Sequence, residues 1–382
     1  MAYHHIEVEC QHVSKKPGSP CGDTFLCKRN IYHTTLICAD GIGSGVKAHV
    51  ASRMNTARLA ALLQSGMSLR DAFLSVVKTM NQWRDGAKPF TAFLLVRILN
   101  DGAVTALGYE MPAPVFLGTK EAYVLEAHPL LIETGVAHEY HGRLGPGDGL
   151  VLVSDGITQA GIGRTCPMGW GIDGLEEFLR GWAGRGRPLR LVVRDILRQA
   201  QEHDGPVNGD DKTVVAVCCR QGQVVDLVTG PASDRARDMI WVHEFLGAEG
   251  LKVICGATTA DIVARCAQAE LEVEQKPLSY STPPRYFIEG IDLVTEGAVT
   301  LNQVYNILGE DLEHESDQSA AADLALLLKG ADRVNFMVGC AKNPANKDLV
   351  YRKQGILARE TIIPLIAAKL EQMGKLVSIQ YN

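Results

Sequence analysis

In the first part of the chain, short apolar runs predict strands. The runs Thr34–Ala39 and Phe90–Leu99 hold consecutive apolar residues without a helical period, which is typical of strands inside a sheet. Short alternating strands are predicted from Tyr123–Glu126 to Leu150–Ser154, separated by turns rich in Gly and Pro. A last strand is predicted at Thr213–Cys219.

Two pairs of segments predict helices between these strands. Val46–Gln64 shows helical spacing. Its apolar side is predicted to contain Val46, Val50, Met54, Leu59 and Leu62. Ser68–Trp83 predicts a second helix, with Ser68 as N-cap and Asp71 three residues later in an acidic variant of the capping box. The other pair is predicted at Leu175–Trp182 and Leu189–Gln201. Strand runs separated by helix pairs favour an α+β fold in which helices cover sheets.

From about residue 224 the pattern changes to alternating strands and helices. The first elements are predicted at Val224–Thr229, Asp234–Glu249, Leu251–Ile254 and a helix through Arg265. Later elements are predicted at Gly290–Thr295, Leu301–Leu308, Ser319–Leu328, Val334–Val338, Thr361–Gln372 and Leu376–Ile379, with a loop at Gln275–Pro284. This alternation favours a separate α/β domain with a largely parallel sheet. We therefore divide the chain into residues 1–220 and 224–382.

Composition supports two folded domains and narrows the class of partner. The 382 residues are 46% hydrophobic and 21% charged, which is enough for two buried cores and argues against disorder. The net charge of −6 leaves no basic surplus for phosphate backbones. We therefore expect no nucleic-acid partner.

The start of the sequence and the spacing of its cysteines both predict a cytoplasmic protein. The start Met1–Glu7 lacks the charged and apolar regions of a signal peptide. No apolar run reaches the roughly 18 residues of a membrane span, so we expect no membrane partner. The 10 cysteines form neither a CxxC pair nor a cluster with zinc spacing, and we expect reduced thiols.

Four short acidic motifs carry the clearest chemistry. They are Gly22-Asp23, Ala39-Asp40-Gly41-Ile42-Gly43-Ser44-Gly45, Val153-Ser154-Asp155-Gly156 and Gly209-Asp210-Asp211-Lys212-Thr213. Because these acids adjoin apolar runs, we expect Asp40, Asp155 and Asp210 to converge at one sheet edge, with Asp23 as a fourth. Hard cations prefer several oxygen ligands, so the motifs predict a Mg²⁺ or Mn²⁺ site that acts on phosphate. Gly41 has no side chain, so its carbonyl can also approach a cation.

Taken singly, these motifs are weaker signals. An isolated Asp-Gly pair is more typical of a tight turn than of a metal ligand. A cysteine-dependent phosphatase needs Arg six positions after its Cys, and none of the 10 cysteines has one. The loop Gly41–Gly45 lacks the Gly-Lys-Ser/Thr ending of a P-loop. Only the combination of motifs favours a metal site.

In their order, the motifs resemble the metal-dependent serine/threonine protein phosphatases of type 2C. The resemblance is to the bacterial branch typified by the stage II sporulation protein E phosphatase domain, and it covers about residues 1–220. Its most specific stretch is Pro146-Gly147-Asp148 leading into Ser154-Asp155-Gly156. The resemblance implies a four-layer αββα sandwich, two Mn²⁺ or Mg²⁺ ions, and hydrolysis of phosphoserine or phosphothreonine by a metal-activated water.

The resemblance also assigns roles to the acids. Asp40 would bridge both ions, and Gly41 would offer its carbonyl. Asp155 and Asp210 would complete one ion, which makes Asp40, Asp155 and Asp210 the predicted catalytic residues. Asp23 would support the second ion, directly or through water.

Two features leave the assignment open. Asp211 is an alternative to Asp210 as ligand, although the first of the pair fits the family better. The stretch Gly108–Pro114 lacks the Ala-Gly-His that many relatives carry, which leaves protonation of the leaving group to water.

Partners are implied only by the resemblance. It suggests a phosphorylated protein substrate of the anti-anti-sigma type, and we allow for a homodimer. The alternative function is a catalytically inactive, phosphatase-like regulatory binding protein whose C-terminal domain senses a ligand or partner.

In the C-terminal domain, one strand end resembles a ligand site. Gly256, Thr258 and Thr259 follow a predicted strand and open a helix, where an anion can bind. The same residues also suit a plain turn between strand and helix. A bound ligand would make the domain a sensor or docking module for the phosphatase.

Overall fold

A computed structural model describes residues 3–83, 90–132, 135–184, 186, 188–206, 208–273, 286–310, 319–341 and 355–382. The chain forms two compact units, and the boundary between them along the sequence falls between Gln221 and Gly222. The predicted loop Gln275–Pro284 lies outside the described residues. None of the described helices combines the length and apolar character needed to cross a bilayer.

Two antiparallel sheets form the first unit. The six-stranded sheet has the order β2-β3-β4-β5-β9-β8 and the five-stranded sheet the order β1-β11-β10-β6-β7. The strands are β1 His4–Val13, β2 Asp23–Arg29, β3 His33–Gly41, β4 Thr91–Leu99, β5 Ala103–Tyr109, β6 Val115–Leu117, β7 Ala122–Val124, β8 His128–Ile132, β9 Gly135–Arg143, β10 Gly149–Val153 and β11 Lys212–Gln221. The first and last strands pair along their whole length, from His4 opposite Gln221 to Val13 opposite Lys212.

Helices cover the outer face of each sheet. They are α1 Val46–Gln64, α2 Leu69–Trp83, α3 Asp155–Thr158, α4 Gly171–Arg180 and α5 Leu189–Asp204. One core lies between the sheets and contains Leu94 and Val215. A second packs α1 and α2 against Phe93, and a third packs α4 and α5 against Val151. The unit therefore has the layer order helices, sheet, sheet, helices.

The helix α1 has the predicted bounds, and Leu59 and Leu62 face the core as predicted, but the other three residues of the predicted apolar side do not. Val46, Val50 and Met54 are 66%, 47% and 59% exposed. The buried residues are Ala48, Ala51, Ser52, Asn55, Thr56 and Leu59. The cause is close packing: a β-carbon at Gly41 would lie 2.1 Å from the Ala48 carbonyl oxygen, so small residues must face the sheet here.

The cap of α2 forms as predicted. The Ser68 hydroxyl accepts a hydrogen bond from the Asp71 amide at 3.1 Å and donates to the Asp71 carboxylate at 2.7 Å. This local bond satisfies an amide that the first turn leaves unpaired.

The second unit contains one mixed sheet of seven strands in the order β14-β15-β16-β13-β12-β17-β18. The strands are β12 Val224–Thr229, β13 Leu251–Cys255, β14 Glu272–Val273, β15 Tyr286–Phe287, β16 Leu293–Thr295, β17 Arg333–Val338 and β18 Leu376–Tyr381. Strands β16, β13, β12, β17 and β18 run parallel, and β14 and β15 add an antiparallel edge. The predicted largely parallel sheet is thus confirmed in part.

Helices pack on both faces of this sheet. They are α6 Asp238–Leu246, α7 Ala257–Ala267, α8 Ala298–Ile307, α9 Ala320–Gly330 and α10 Arg359–Gln372, and a 3₁₀ turn at Arg235–Arg237 precedes α6. One core joins α8, α9 and α10 to Leu227 and Phe336. The other joins α6 and α7 to Val228 and Ile254. The neighbouring residues Leu227 and Val228 of β12 thus belong to different cores on opposite faces, as expected of a parallel sheet that is buried on both sides.

Candidate active site

Antiparallel pairing of β2 and β3 places two of the predicted acids side by side. Asp23 lies directly opposite Asp40 in the register. Asp23 is only 4% exposed, and its Oδ2 accepts a hydrogen bond from the Thr213 hydroxyl at 2.7 Å. Thr213 follows the Asp210-Asp211 motif by two residues, so this bond joins the first acidic motif to the last.

A close backbone approach joins the Asp155 and Asp210 motifs. Asp155 opens α3, and a β-carbon on the neighbouring Gly156 would lie 2.0 Å from the Asp211 carbonyl oxygen and 3.4 Å from the Asp210 β-carbon. No side chain fits at residue 156. The glycine of Ser154-Asp155-Gly156 is therefore a packing requirement, as well as a turn residue.

Glycine also allows the Asp40 motif to meet the Asp23 motif. A β-carbon at Gly22 would lie 2.8 Å from Asp211 Oδ2 and 3.3 Å from the Gly41 carbonyl oxygen. The Gly41 carbonyl, a predicted ligand, therefore lies among the acidic motifs.

Burial and mutual repulsion dominate the electrostatics of this cluster. Burial, the charges of Asp23 and Asp155, and hydrogen bonds shared with both raise the pKa of Asp40 to about 10. Burial also raises the pKa of Asp23, although hydrogen bonds from Thr213 and Ser154 oppose the shift. The Oδ1 atom of Asp23 is buried without a hydrogen-bond partner. Such carboxylates require protons or cations to offset their charge.

Asp210 and Asp211 have different environments. Asp211 is 3% exposed, and its two oxygens accept hydrogen bonds from the amides of Lys15 at 2.6 Å and Gly22 at 2.8 Å. The Asp210 side chain is 36% exposed and lies 3.5 Å from Lys15 Nζ. Asp211 therefore holds the loop between β1 and β2, which leaves Asp210 as the accessible carboxylate of the pair.

The donor set suits a hard cation, but it is not arranged around one. Among the described residues, no three acidic, His or Cys side chains surround a single ion-sized point. Asp40 instead lies close enough to Asp23 and Asp155 for both to raise its pKa. A cation would replace the protons that offset the charge of these carboxylates. The carboxylates of the acidic motifs and the Gly41 carbonyl offer oxygen ligands, as Mg²⁺ and Mn²⁺ prefer.

The sequence profile of stage II sporulation protein E (SpoIIE) matches residues 32–220. This part of the chain belongs to the SpoIIE family. The recognition made from the acidic motifs is therefore confirmed, and the match ends where the second unit begins.

One solved structure supports the fold of the SpoIIE-family unit, and two others are similar to it at lower TM-scores. The PP2C phosphatase domain of SpoIIE from Bacillus subtilis, with a fragment of its regulatory domain, is 18% identical, with a TM-score of 0.50 over 58% of this chain and 65% of that chain. The RsbU and RsbW domains of a Mycobacterium tuberculosis protein are 16% identical over 70% of this chain and 71% of that one, with a TM-score of 0.49. The SiaA PP2C domain of Pseudomonas aeruginosa is 18% identical over 56% and 85%, with a TM-score of 0.45. No curated protein matches the chain. The first comparison shows a PP2C-like fold.

A buried ion pair in the SpoIIE-family unit was not foreseen from the sequence. Lys212 is 1% exposed, and its Nζ lies 2.5 Å from Asp204 Oδ2. Burial opposes ionisation of Asp204, but hydrogen bonds from Lys212 and from the amides of Gly209 and Gly161 lower its pKa below the ordinary value. The pair fixes the loop that carries Asp210. The only sequence signal was the lysine that directly follows the two aspartates.

The candidate ligand residues of the second unit lie outside the SpoIIE match. Gly256 is the N-cap of α7, with a φ of 124°. Thr258 is exposed and lines a cavity. Thr259 is 1% exposed, and its hydroxyl accepts a hydrogen bond from the Gly230 amide at 2.8 Å. Thr259 therefore braces the loop, and ligand binding at the three residues stays a prediction.

Proposed function

We propose that the SpoIIE-family unit hydrolyses phosphoserine or phosphothreonine on a protein, using two Mn²⁺ or Mg²⁺ ions. The observation that carries the proposal is the buried cluster of Asp23, Asp40 and Asp155, in which burial and like charges raise the pKa of Asp40 to about 10. A fold has little structural use for three carboxylates placed together in this way. Membership of the SpoIIE family and the PP2C-like fold support the same conclusion.

The residues present suggest a division of labour. Asp40, whose pKa is raised by both Asp23 and Asp155, would bridge the two ions, and the Gly41 carbonyl would be a further ligand. Asp155 and the accessible Asp210 would complete one ion. The buried Asp23 would act on the second ion, directly or through water. When bound, the ions would supply an activated water and neutralise charge on the phosphoryl oxygens.

The remaining groups around the cluster orient it and carry charge. The Ser154 hydroxyl accepts a hydrogen bond from the Thr213 amide at 2.9 Å, which fixes the turn before Asp155. Lys15 places a partly exposed ammonium 3.5 Å from Asp210, at the rim where a phosphate would arrive. As substrate we propose a phosphorylated regulatory protein of the anti-anti-sigma type.

The test is hydrolysis of a generic aryl phosphate and a phosphoserine peptide, with and without Mn²⁺. We expect turnover that requires the metal and is abolished by Asp40→Ala and Asp155→Ala. Arg143→Ala is the matched surface control, because Arg143 pairs only with the exposed Asp101 in this structure's described residues. Turnover without Mn²⁺, or turnover that survives both substitutions, would contradict the proposal.

One observation favours the alternative of an inactive regulatory binding protein. Asp23, Asp40 and Asp155 lie close together, but among the described residues no three acidic, His or Cys side chains surround an ion-sized point. If that arrangement is permanent, Mn²⁺ will not bind. Calorimetric titration with Mn²⁺ separates the two functions: saturable binding that Asp40→Asn removes supports the phosphatase, and no binding supports the alternative.

A further inference from the structure

A cavity of ≈ 610 Å³ lies at the carboxyl ends of the parallel strands in the second unit. It is lined by the ends of β12 and β13 and by the loop after β16. The strand order places β12 beside β17, with the earlier strands on one side and the later ones on the other. Ligands of open α/β sheets bind outside the strand ends at such a reversal. The volume suits a small organic ligand.

The N-terminus of α7 opens into this cavity without a cap. The helix runs from Ala257 to Ala267, its N-cap Gly256 offers no side chain, and its first turn contains no acid. Gly256 and Thr258 both line the cavity. The partial positive charge of the first-turn amides therefore faces the cavity without a side-chain acceptor.

Arg359 brings a largely buried positive charge to the same place. Its side chain is 12% exposed, and a β-carbon at Gly230 would lie 1.6 Å from its Nη1. Nη2 donates to the Ala341 carbonyl at 3.2 Å, and Nε is buried with no hydrogen-bond partner among the described residues. The carboxylate of Glu360 lies 3.9 Å away and is 49% exposed. The guanidinium thus has donors left for an anion.

Gly230 joins these two positive groups. Its amide donates to the Thr259 hydroxyl, in the first turn of α7, at 2.8 Å. Its α-carbon lies against the Arg359 guanidinium. With a φ of 79° and no room for a side chain, residue 230 must be glycine, and the guanidinium and the helix N-terminus are held on either side of it.

A buried acid lines another part of the cavity. Asp238 is 5% exposed, and no residue in the described part of the chain hydrogen-bonds to its Oδ1. Its Oδ2 lies 3.5 Å from the side chain of Arg265, which is 68% exposed and so offsets the charge weakly. A buried carboxylate oxygen without a partner calls for a donor such as a ligand hydroxyl. Two other acids, Asp261 and Glu296, also line the cavity, and Glu296 accepts a bond from the Tyr286 hydroxyl at 2.6 Å.

We propose that this cavity binds a hydroxylated phosphate ester, that is, a sugar phosphate or a mononucleotide. The phosphate would lie between the N-terminus of α7 and the Arg359 guanidinium, and a sugar hydroxyl would donate to Asp238. The cavity lining contains three acids (Asp238, Asp261 and Glu296) and three arginines (Arg235, Arg265 and Arg359). This balance of charge favours a ligand with one phosphate and several hydroxyls over a polyanion.

Binding is measured on the full chain carrying Asp40→Asn and Asp155→Asn, so that the acidic centre neither hydrolyses the ester nor holds phosphate. The probes are ribose 5-phosphate, adenosine 5′-monophosphate, ribose, adenosine and inorganic phosphate, followed by calorimetry. We expect each ester to bind about tenfold or more tightly than its unphosphorylated counterpart and than phosphate alone. The ester with the higher affinity shows whether the ligand is a sugar phosphate or a mononucleotide. Equal affinity for an ester and its unphosphorylated counterpart, or for the esters and phosphate, would overturn the proposal. Because the phosphatase residues are removed, this result is independent of the proposed function.

Variants locate the site. Thr258→Asp adds a carboxylate that stabilises the first turn of α7 and repels phosphate, so we expect normal folding with about tenfold or greater loss of ester affinity. Gln268→Glu adds the same charge at the exposed far end of α7 and should bind as the parent does. Asp238→Asn should reduce the advantage of the esters over phosphate without weakening phosphate itself, and Arg359→Gln should weaken both. Ester affinity that Thr258→Asp leaves unchanged would place the ligand elsewhere and refute the site.

Discussion

The two units collect opposite charges at their strand ends by the same backbone device. In the first unit, Gly22 and Gly156 let the acidic motifs approach one another at distances that no side chain at these positions would allow. In the second unit, Gly230 lets a guanidinium and a helix N-terminus meet. Glycine at a strand end thus sets only the closeness of approach. The side chains beside it decide whether the site suits a cation or an anion.

Among the substitutions in the acidic cluster of the first unit, we expect Asp40→Asn to have the largest effect. We expect Mn²⁺-dependent turnover to fall by about 10³-fold or more, because the residue between the other two carboxylates is lost. Steady-state hydrolysis of an aryl phosphate measures the loss. A fall of less than about tenfold would show that Asp40 is not the central ligand.

The same variant has a predicted effect on stability without metal. The raised pKa of Asp40 means that the metal-free protein keeps a proton that the unfolded chain releases near its ordinary value of 3.8. That contribution to stability is complete below the unfolded pKa and is lost as pH rises towards about 10. Asp40→Asn should therefore melt at the same temperature as the parent in acid and increasingly above it at higher pH. A difference that is constant with pH would contradict the assignment.

Lys212→Met tests whether the loop that carries Asp210 depends on the buried ammonium group of Lys212. Removing one partner of a buried pair leaves Asp204 uncompensated, and we expect a loss of about 3–5 kcal/mol in the free energy of unfolding. Urea denaturation of the metal-free protein measures it. The double variant Lys212→Met, Asp204→Asn should recover part of the loss, and no recovery would show that the pair acts by packing alone.

Substitutions of Asp210 and Asp211 test which aspartate of this motif binds metal and which one stabilises the fold. Asp210→Asn should weaken Mn²⁺ binding, with activity partly restored by more metal, and should leave the melting temperature nearly unchanged. Asp211→Asn should cost about 1–3 kcal/mol of stability, because its oxygens accept two backbone amides. Metal titration and thermal melting, performed on both variants, separate the roles. If Asp211→Asn weakened Mn²⁺ binding and Asp210→Asn lowered the stability, the metal ligand would be Asp211.

The smallest expected effect concerns the glycine of the second unit. Gly230→Ala combines a left-handed φ with a clash against Arg359, and we expect about 1–3 kcal/mol of destabilisation. Gly374→Ala is the matched control, since its φ is 80° and it has nothing within 4 Å. The difference between the two variants in urea denaturation isolates the clash. Equal losses would show that the guanidinium moves aside freely.

Local patterns predicted much of this architecture from the sequence. The bounds of α1 and β12 agree with their patterns, because periodicity and flanking glycines are local signals. The buried side of α1 was not predictable, since the close approach of Gly41 selects small residues over the apolar Val46 and Val50. The acidic motifs were visible as neighbours along the chain. The pairing of Lys212 with Asp204, and the use of the Thr259 hydroxyl by Gly230, depend on contacts that no local pattern records.

The two hydrogen bonds of Asp211 also set an order of events during synthesis. They join residues separated by 196 and 189 positions, and β1 is an edge strand whose partner is β11, at the far end of the unit. On the ribosome, the first strand must therefore wait until nearly the whole unit has emerged before the loop that carries Gly22 can be fastened. The acidic centre is closed last, and a truncated nascent chain cannot capture a cation there with its full set of ligands.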